Sequence, residues 1–138
     1  MAKKRRRDDG PWAREAAEIY GTSCLACGHH GYVEFDHIIP RSQGGPSDVR
    51  NAAPLCGQFC PFCRQQSSTP CHLRKTAGDL KYAPEWLTFD QLEFLEAMGW
   101  VDFDIHGEPT GRGFKHFERM SFPAIRAGQQ GRVADPWQ

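Results

Sequence analysis

Tyr32-Val-Glu-Phe-Asp-His-Ile-Ile39 is the stretch that decides the fold. Its side chains alternate and it is rich in β-formers, so it predicts the best strand in the chain, stopped by Pro40. Near the end of that strand Asp36 and His37 set a carboxylate beside an imidazole. On its N-terminal side lies Cys24-Leu-Ala-Cys27, a pair spaced to aim two sulfurs at one tetrahedral ion about 2.3 Å from each. On its C-terminal side, Arg41-Ser-Gln-Gly-Gly-Pro-Ser-Asp48 is a loop too polar to bury, followed by Asn51 and the apolar piece Ala52-Ala-Pro-Leu-Cys56. That piece fits a second strand antiparallel to the first. After Pro70, Cys71-His-Leu-Arg-Lys-Thr-Ala77 is made of good helix formers and stops near Gly78, which puts His72 in the first turn of a helix. The predicted order is strand, loop, strand, helix.

The six cysteines read as thiolate ligands rather than disulfides. Met1-Ala-Lys-Lys-Arg-Arg-Arg7 is charged with no apolar region after it, and no apolar run approaches the roughly 20 residues that span a bilayer. A cytoplasmic location with no membrane partner is therefore expected, and reducing compartments keep thiols free. At 138 residues and 39% hydrophobic content, the chain suits one modest domain with tails and a small core. Metal can supply stability that so little burial does not.

The net charge of zero hides segregation. Lys3 to Arg7 form a basic run, and Arg41, Arg50, Arg64, Arg74 and Lys75 surround the central motif. Between Tyr82 and Glu108 there is no Lys or Arg, while seven carboxylates accumulate; Arg112, Lys115, Arg119, Arg126 and Arg132 then make the tail basic again. A polyanion is drawn to the ends and the motif and repelled from the acidic segment.

The flanks read more simply. Residues 1–10 form a solvated, disordered basic arm. Pro11, Trp12, Ala16, Ile19 and Tyr20 predict a short helix over 11–20 ended by Gly21, with Trp12 and Tyr20 packed on the cysteine lobe. Residues 57–70 are irregular and hold an additional pair, Cys60-Pro-Phe-Cys63. Residues 81–110 are an acidic helical extension in which Thr88-Phe-Asp-Gln91 has the form of a capping box and Leu92, Phe94, Leu95 and Met98 an apolar face. Residues 111–138 read as a flexible basic tail, and His29, His30, His106 and His116 as surface residues.

Taken together, Cys24-Leu-Ala-Cys27-Gly28, Asp36-His37-Ile38-Ile39-Pro40-Arg41 with Gly44-Gly45, Asn51-Ala-Ala-Pro-Leu-Cys56 and Cys71-His72-Leu-Arg-Lys75-Thr76 resemble the HNH endonuclease family. The resemblance implies an α+β fold, a small ββα-metal finger with a structural zinc site over residues 11–80, flanked by the N-terminal helix and the C-terminal extension. It implies that His37 is the general base that takes a proton from the attacking water, and that Asp36 and His72 hold one divalent cation. Mg²⁺ or Mn²⁺ suits such an oxygen and nitrogen set, with Ni²⁺ or Zn²⁺ able to stand in during assays. Asn51 ties the loop together and orients the base. One structural zinc is assigned to Cys24, Cys27, Cys56 and Cys71. The pattern departs from the family in one place, since fourteen residues separate Cys56 from Cys71, and Cys60 and Cys63 are alternative ligands.

Arg41, Arg74 and Lys75 are the expected DNA contacts, and the substrate class is double-stranded DNA, nicked or cut through both strands. A compact chain of this kind is similar to small bacteriophage HNH proteins, which implies terminase subunits as partners. The alternative reading is a zinc-stabilised nucleic-acid-binding module without catalysis, which needs the cysteines but not Asp36, His37 and His72. A homing endonuclease finds little support in the tail. Oligomeric state is left open by the sequence.

Overall fold

A computed structural model of the chain describes residues 2–65 and 69–121, with the side chains of residues 2–9 outside the description. The chain divides into two units, the first ending at Leu80 and the second beginning at Lys81. Among the described residues no helix is long and apolar enough to cross a membrane.

In the first unit, α1 (Ala2–Tyr20) precedes β1 (Val33–His37) and β2 (Ala52–Cys56), then α2 (Pro61–Gln65) and α3 (Cys71–Thr76). The strands pair antiparallel, with Val33 opposite Cys56 and His37 opposite Ala52. β1 is shorter than its apolar pattern: Ile38 and Ile39 leave the ladder to become fully buried core residues. Ile38 still donates its N–H to the Asn51 carbonyl at 3.0 Å, which keeps the two strand ends together. Every residue of β2 is buried, which explains why it reads Ala-Ala-Pro-Leu-Cys rather than alternating. Pro54 offers no N–H, but its carbonyl accepts the Leu25 N–H at 3.0 Å, so the cysteine knuckle docks on β2. Within the knuckle, Cys24 donates to the His29 carbonyl at 3.0 Å and Gly28 takes the left-handed turn at φ 81°.

Three expectations for this unit change. The backbone is helical from Ala2 rather than a disordered arm up to residue 10; Lys and Arg are good helix formers, and the run continues the turn that Pro11 was expected to start. Trp12 and Ala16 cluster with Ala52 and Phe35, so α1 lies against the strands rather than the cysteine lobe. Residues 57–70 are also not wholly irregular, since Pro61–Gln65 is a short helix.

The second unit contains α4 (Phe89–Ala97) and a small antiparallel pair, β3 (Asp102–Phe103) with β4 (Pro109–Thr110). The capping box forms as read: Thr88 Oγ1 accepts the Gln91 N–H at 3.2 Å and Gln91 Oε1 accepts the Thr88 N–H at 2.8 Å. Phe94 and Leu95 are buried, whereas Met98 at the helix end is exposed. Residues 111–121 are packed rather than the start of the expected flexible tail. Tyr82 donates to the His116 carbonyl and accepts from Glu118, and Phe117 and Met120 are buried, so the unit's fold runs to the end of the described residues at 121. The remaining tail, including Arg126, Arg132 and Trp137, lies outside them.

One loop contact positions the site directly. A Cβ on Gly45 would run into the Ile39 carbonyl and come within 3.0 Å of Asn51 Nδ2. Gly45→Ala should therefore destabilise the chain by about 1–3 kcal/mol, the usual cost of overpacking, read as a lower thermal midpoint. An unchanged midpoint would mean that the loop tolerates displacement.

Candidate active site

β1 presents two chemistries because successive strand residues point to opposite faces. Glu34 and Asp36 fall on one face; Phe35 and His37 fall on the other, toward α1. α3 supplies His72 from its first turn and Lys75 one turn on, at the i, i+3 spacing that puts both on one helix face.

On the acidic face, His72 Nδ1 lies 3.6 Å from Asp36 Oδ1, and His72 Nε2 lies 3.6 Å from Glu34 Oε1. Both separations exceed a hydrogen bond. His72 Nδ1 is buried with no hydrogen-bond partner. With the proton on Nε2, toward Glu34, the Nδ1 lone pair would face the Asp36 carboxylate. Two electron-rich groups facing each other across that gap fit a shared cation, and an oxygen with an imidazole nitrogen suits a hard or borderline divalent ion. Asp36, His72 and, through the far side of the ring, Glu34 would hold and orient it.

Lys75 does not take the surface position expected of a DNA contact. Its side chain is 7% exposed, and Nζ lies 2.8 Å from Asp36 Oδ2 and 3.4 Å from the His37 carbonyl. The helix turn that carries His72 inward carries Lys75 inward with it. One Asp36 oxygen is thereby fixed by Lys75, and the other is turned toward His72. Arg41 is exposed on a 3₁₀ turn (Arg41–Gln43), and Arg74 is partly exposed on α3. Arg50 is tied to Asp48 by two side-chain bonds of 2.9 and 2.8 Å, and this pairing holds the Asp48 carboxyl below its ordinary range.

On the other face, the His37 ring stacks on Trp12 with centroids 4.0 Å apart and 15° between planes. Trp12 is itself anchored by its indole N–H, which donates to the Asp48 carbonyl at 2.8 Å. His37 Nε2 lies 3.2 Å from Ser47 Oγ. Asn51 is fully buried: Oδ1 accepts the Ile39 N–H at 2.8 Å, and Nδ2 donates to the Ile39 and Pro46 carbonyls at 3.1 and 3.0 Å. The amide thus clamps both ends of the loop that follows His37.

The cysteines converge at the other end of the strands. Among the described residues, Cys24, Cys27, Cys56 and Cys71 form one set that can hold a metal ion. Burial pushes the Cys56 thiol up to about 11 and the Cys27 thiol up to about 12, and burial with the neighbouring Cys24 sulfur raises Cys71 as well. Binding a metal therefore displaces thiol protons, and zinc affinity should weaken as pH falls. His30 faces Ser23, and neither His29 nor His30 joins a cysteine set. His116 stacks on Trp100 in the second unit, and His106 is exposed there.

Glu34, Trp12 and Ser47 are site residues that the sequence reading did not single out. Glu34 was within reach of strand periodicity, two residues from Asp36. Trp12 is too distant from His37 in sequence for any local pattern to join them.

Asn51→Asp offers a test of the clamp. It keeps the acceptor for Ile39 but turns a carboxylate toward two carbonyls, which raises its folded pKa above the unfolded one. Stability should approach wild type below the ordinary Asp value of about 4 and fall as pH rises above it. Urea unfolding across pH reads this out, and a pH-independent difference from wild type would contradict the clamp geometry.

Residues 24–58 match the family model described as HNH endonuclease. That span includes Asp36, His37 and Asn51 and stops before Cys60, Cys63, Cys71 and His72. No curated protein and no solved structure matches the chain.

Proposed function

We propose that this chain, whose residues 24–58 match the HNH endonuclease family model, is a divalent-metal-dependent endonuclease that hydrolyses phosphodiester bonds of double-stranded DNA. The observation that carries the reading is the unpartnered, buried His72 Nδ1 facing Asp36, brought from α3 to the strand that also ends in His37. A binding module has no use for that arrangement.

Asp36 and His72 would hold a divalent cation, which would supply positive charge where the scissile phosphate and leaving oxygen become more negative. His37 accepts the proton of the attacking water on a ring nitrogen; at neutral pH an ordinary imidazole is largely unprotonated and ready to do so. Trp12 stacks under that ring and limits its tilt, while Ser47 limits its rotation. Asn51 fixes the turn after His37, so the ring is aimed by backbone as well as by contact. Lys75 orients Asp36. Arg41 and Arg74 are the proposed contacts to flanking phosphates.

Mg²⁺ or Mn²⁺ is the proposed cation. Genome packaging with terminase subunits in a host cytoplasm is the proposed setting, on the resemblance of the motif to small phage HNH proteins.

Relaxation of supercoiled plasmid with Mg²⁺ or Mn²⁺ tests the function. His37→Ala should lower the single-turnover rate about 10²- to 10⁴-fold, the usual share of a general base. Asp36→Ala and His72→Ala should weaken the metal dependence as well as the rate. Wild-type protein that binds DNA but never relaxes it with any divalent ion would favour the non-catalytic module.

A further inference from the structure

The cysteines form not one set of four but two. Cys24, Cys27, Cys56 and Cys71 lie with their sulfurs within 4.8 Å of one another, and so do Cys27, Cys56, Cys60 and Cys63. Cys27 and Cys56 belong to both. Four sulfurs at about 2.3 Å from a tetrahedral ion lie about 3.8 Å apart. The Cys27 and Cys56 sulfurs are 3.9 Å apart, and those of Cys56 and Cys63 are 3.6 Å apart. These spacings are far beyond a disulfide bond of about 2.05 Å, and all six cysteines are free.

A single zinc in the first set would leave Cys60 and Cys63 as buried thiols crowded against two of its ligands. The surrounding segment makes that outcome costly. Between residues 57 and 65 the only buried side chains are Cys60 and Cys63; Phe59 and Phe62 are 62% and 40% exposed. α2 has five residues, too short to persist without outside support. Its fold has no apolar anchor, but it does have two sulfurs.

We infer that the chain holds a binuclear zinc–thiolate cluster, with one ion held by Cys24, Cys27, Cys56 and Cys71 and a second by Cys27, Cys56, Cys60 and Cys63. The Cys27 and Cys56 sulfurs bridge the two, each using a second lone pair. Six thiols release six protons to solvent, and six thiolates with two Zn²⁺ leave a net charge of −2, the same as one ion with four thiolates. Backbone N–H groups already point at this charge: Cys71 donates to Cys56 Sγ at 3.3 Å and Cys27 to Cys24 Sγ at 3.4 Å. The choice between Cys56 with Cys71 and Cys60 with Cys63 disappears, because both pairs are used. Residues 57–65, which carry Cys60 and Cys63, become a second lobe of the cluster. This inference is independent of nuclease activity.

The test is zinc stoichiometry by native mass spectrometry on the full reduced chain carrying Asp36→Asn and His72→Ala, which removes the oxygen and nitrogen site from the count. Two zinc ions per chain are expected, falling to one when Cys60→Ser and Cys63→Ser are added. One ion or none before those changes would overturn the cluster, whether or not the cysteine variant folds. Cobalt loading tests the bridge itself. Shared thiolates couple the two spins, so the electron paramagnetic resonance signal per cobalt should be several-fold weaker in the six-cysteine chain than in a singly loaded one. A full signal per cobalt at two equivalents would overturn the bridging assignment.

Discussion

The sulfur convergence between the knuckle, the end of β2 and the start of α3 is the contact on which the rest of the first unit depends. Two five-residue strands and a six-residue helix are too short to be stable alone. Cys56 ends β2 opposite Val33, so fixing its sulfur helps fix the strand register, and a one-residue slip would turn Asp36 and His37 to the wrong faces. Cys71 immediately precedes His72, so the same anchor sets where the imidazole enters. The sulfur convergence at one end of the strands thus helps set the geometry of Asp36, His37 and His72.

β1 then separates two tasks by its pleat. Its α3-facing side gathers Glu34, Asp36, His72 and Lys75 into a polar group in which the buried His72 Nδ1 faces the Asp36 carboxylate without a hydrogen bond. Its α1-facing side places His37 against an aromatic plane. Neighbouring residues therefore meet different partners, Lys75 pairing with Asp36 while Trp12 stacks on His37. Asn51 links the two by holding the loop that leaves the strand end.

Much of this was legible in the sequence because it is local. The alternation at 32–39, the loop glycines, Pro70 before a run of helix formers and the Thr88 to Gln91 box each carry their own physical signal, and each element forms near its predicted bounds. What was not legible depends on distant contact. Nothing local says that Lys75 turns inward to Asp36, since a lysine on a short helix is ordinarily solvated. The burial of Phe117 was not legible because its partner Tyr82 is far upstream. The six cysteines could be counted in the sequence, but only their convergence shows that two of them belong to both sets.

The dependence of the cation site on the sulfur anchor can be measured by Mn²⁺ binding, followed by electron paramagnetic resonance, before and after a chelator strips zinc and is itself removed. Loss of zinc should release Cys71, and His72 with it, and abolish Mn²⁺ binding at the Asp36 and His72 pair. Unchanged Mn²⁺ affinity in zinc-free protein would show that the strands and helix align those ligands without the thiolate anchor.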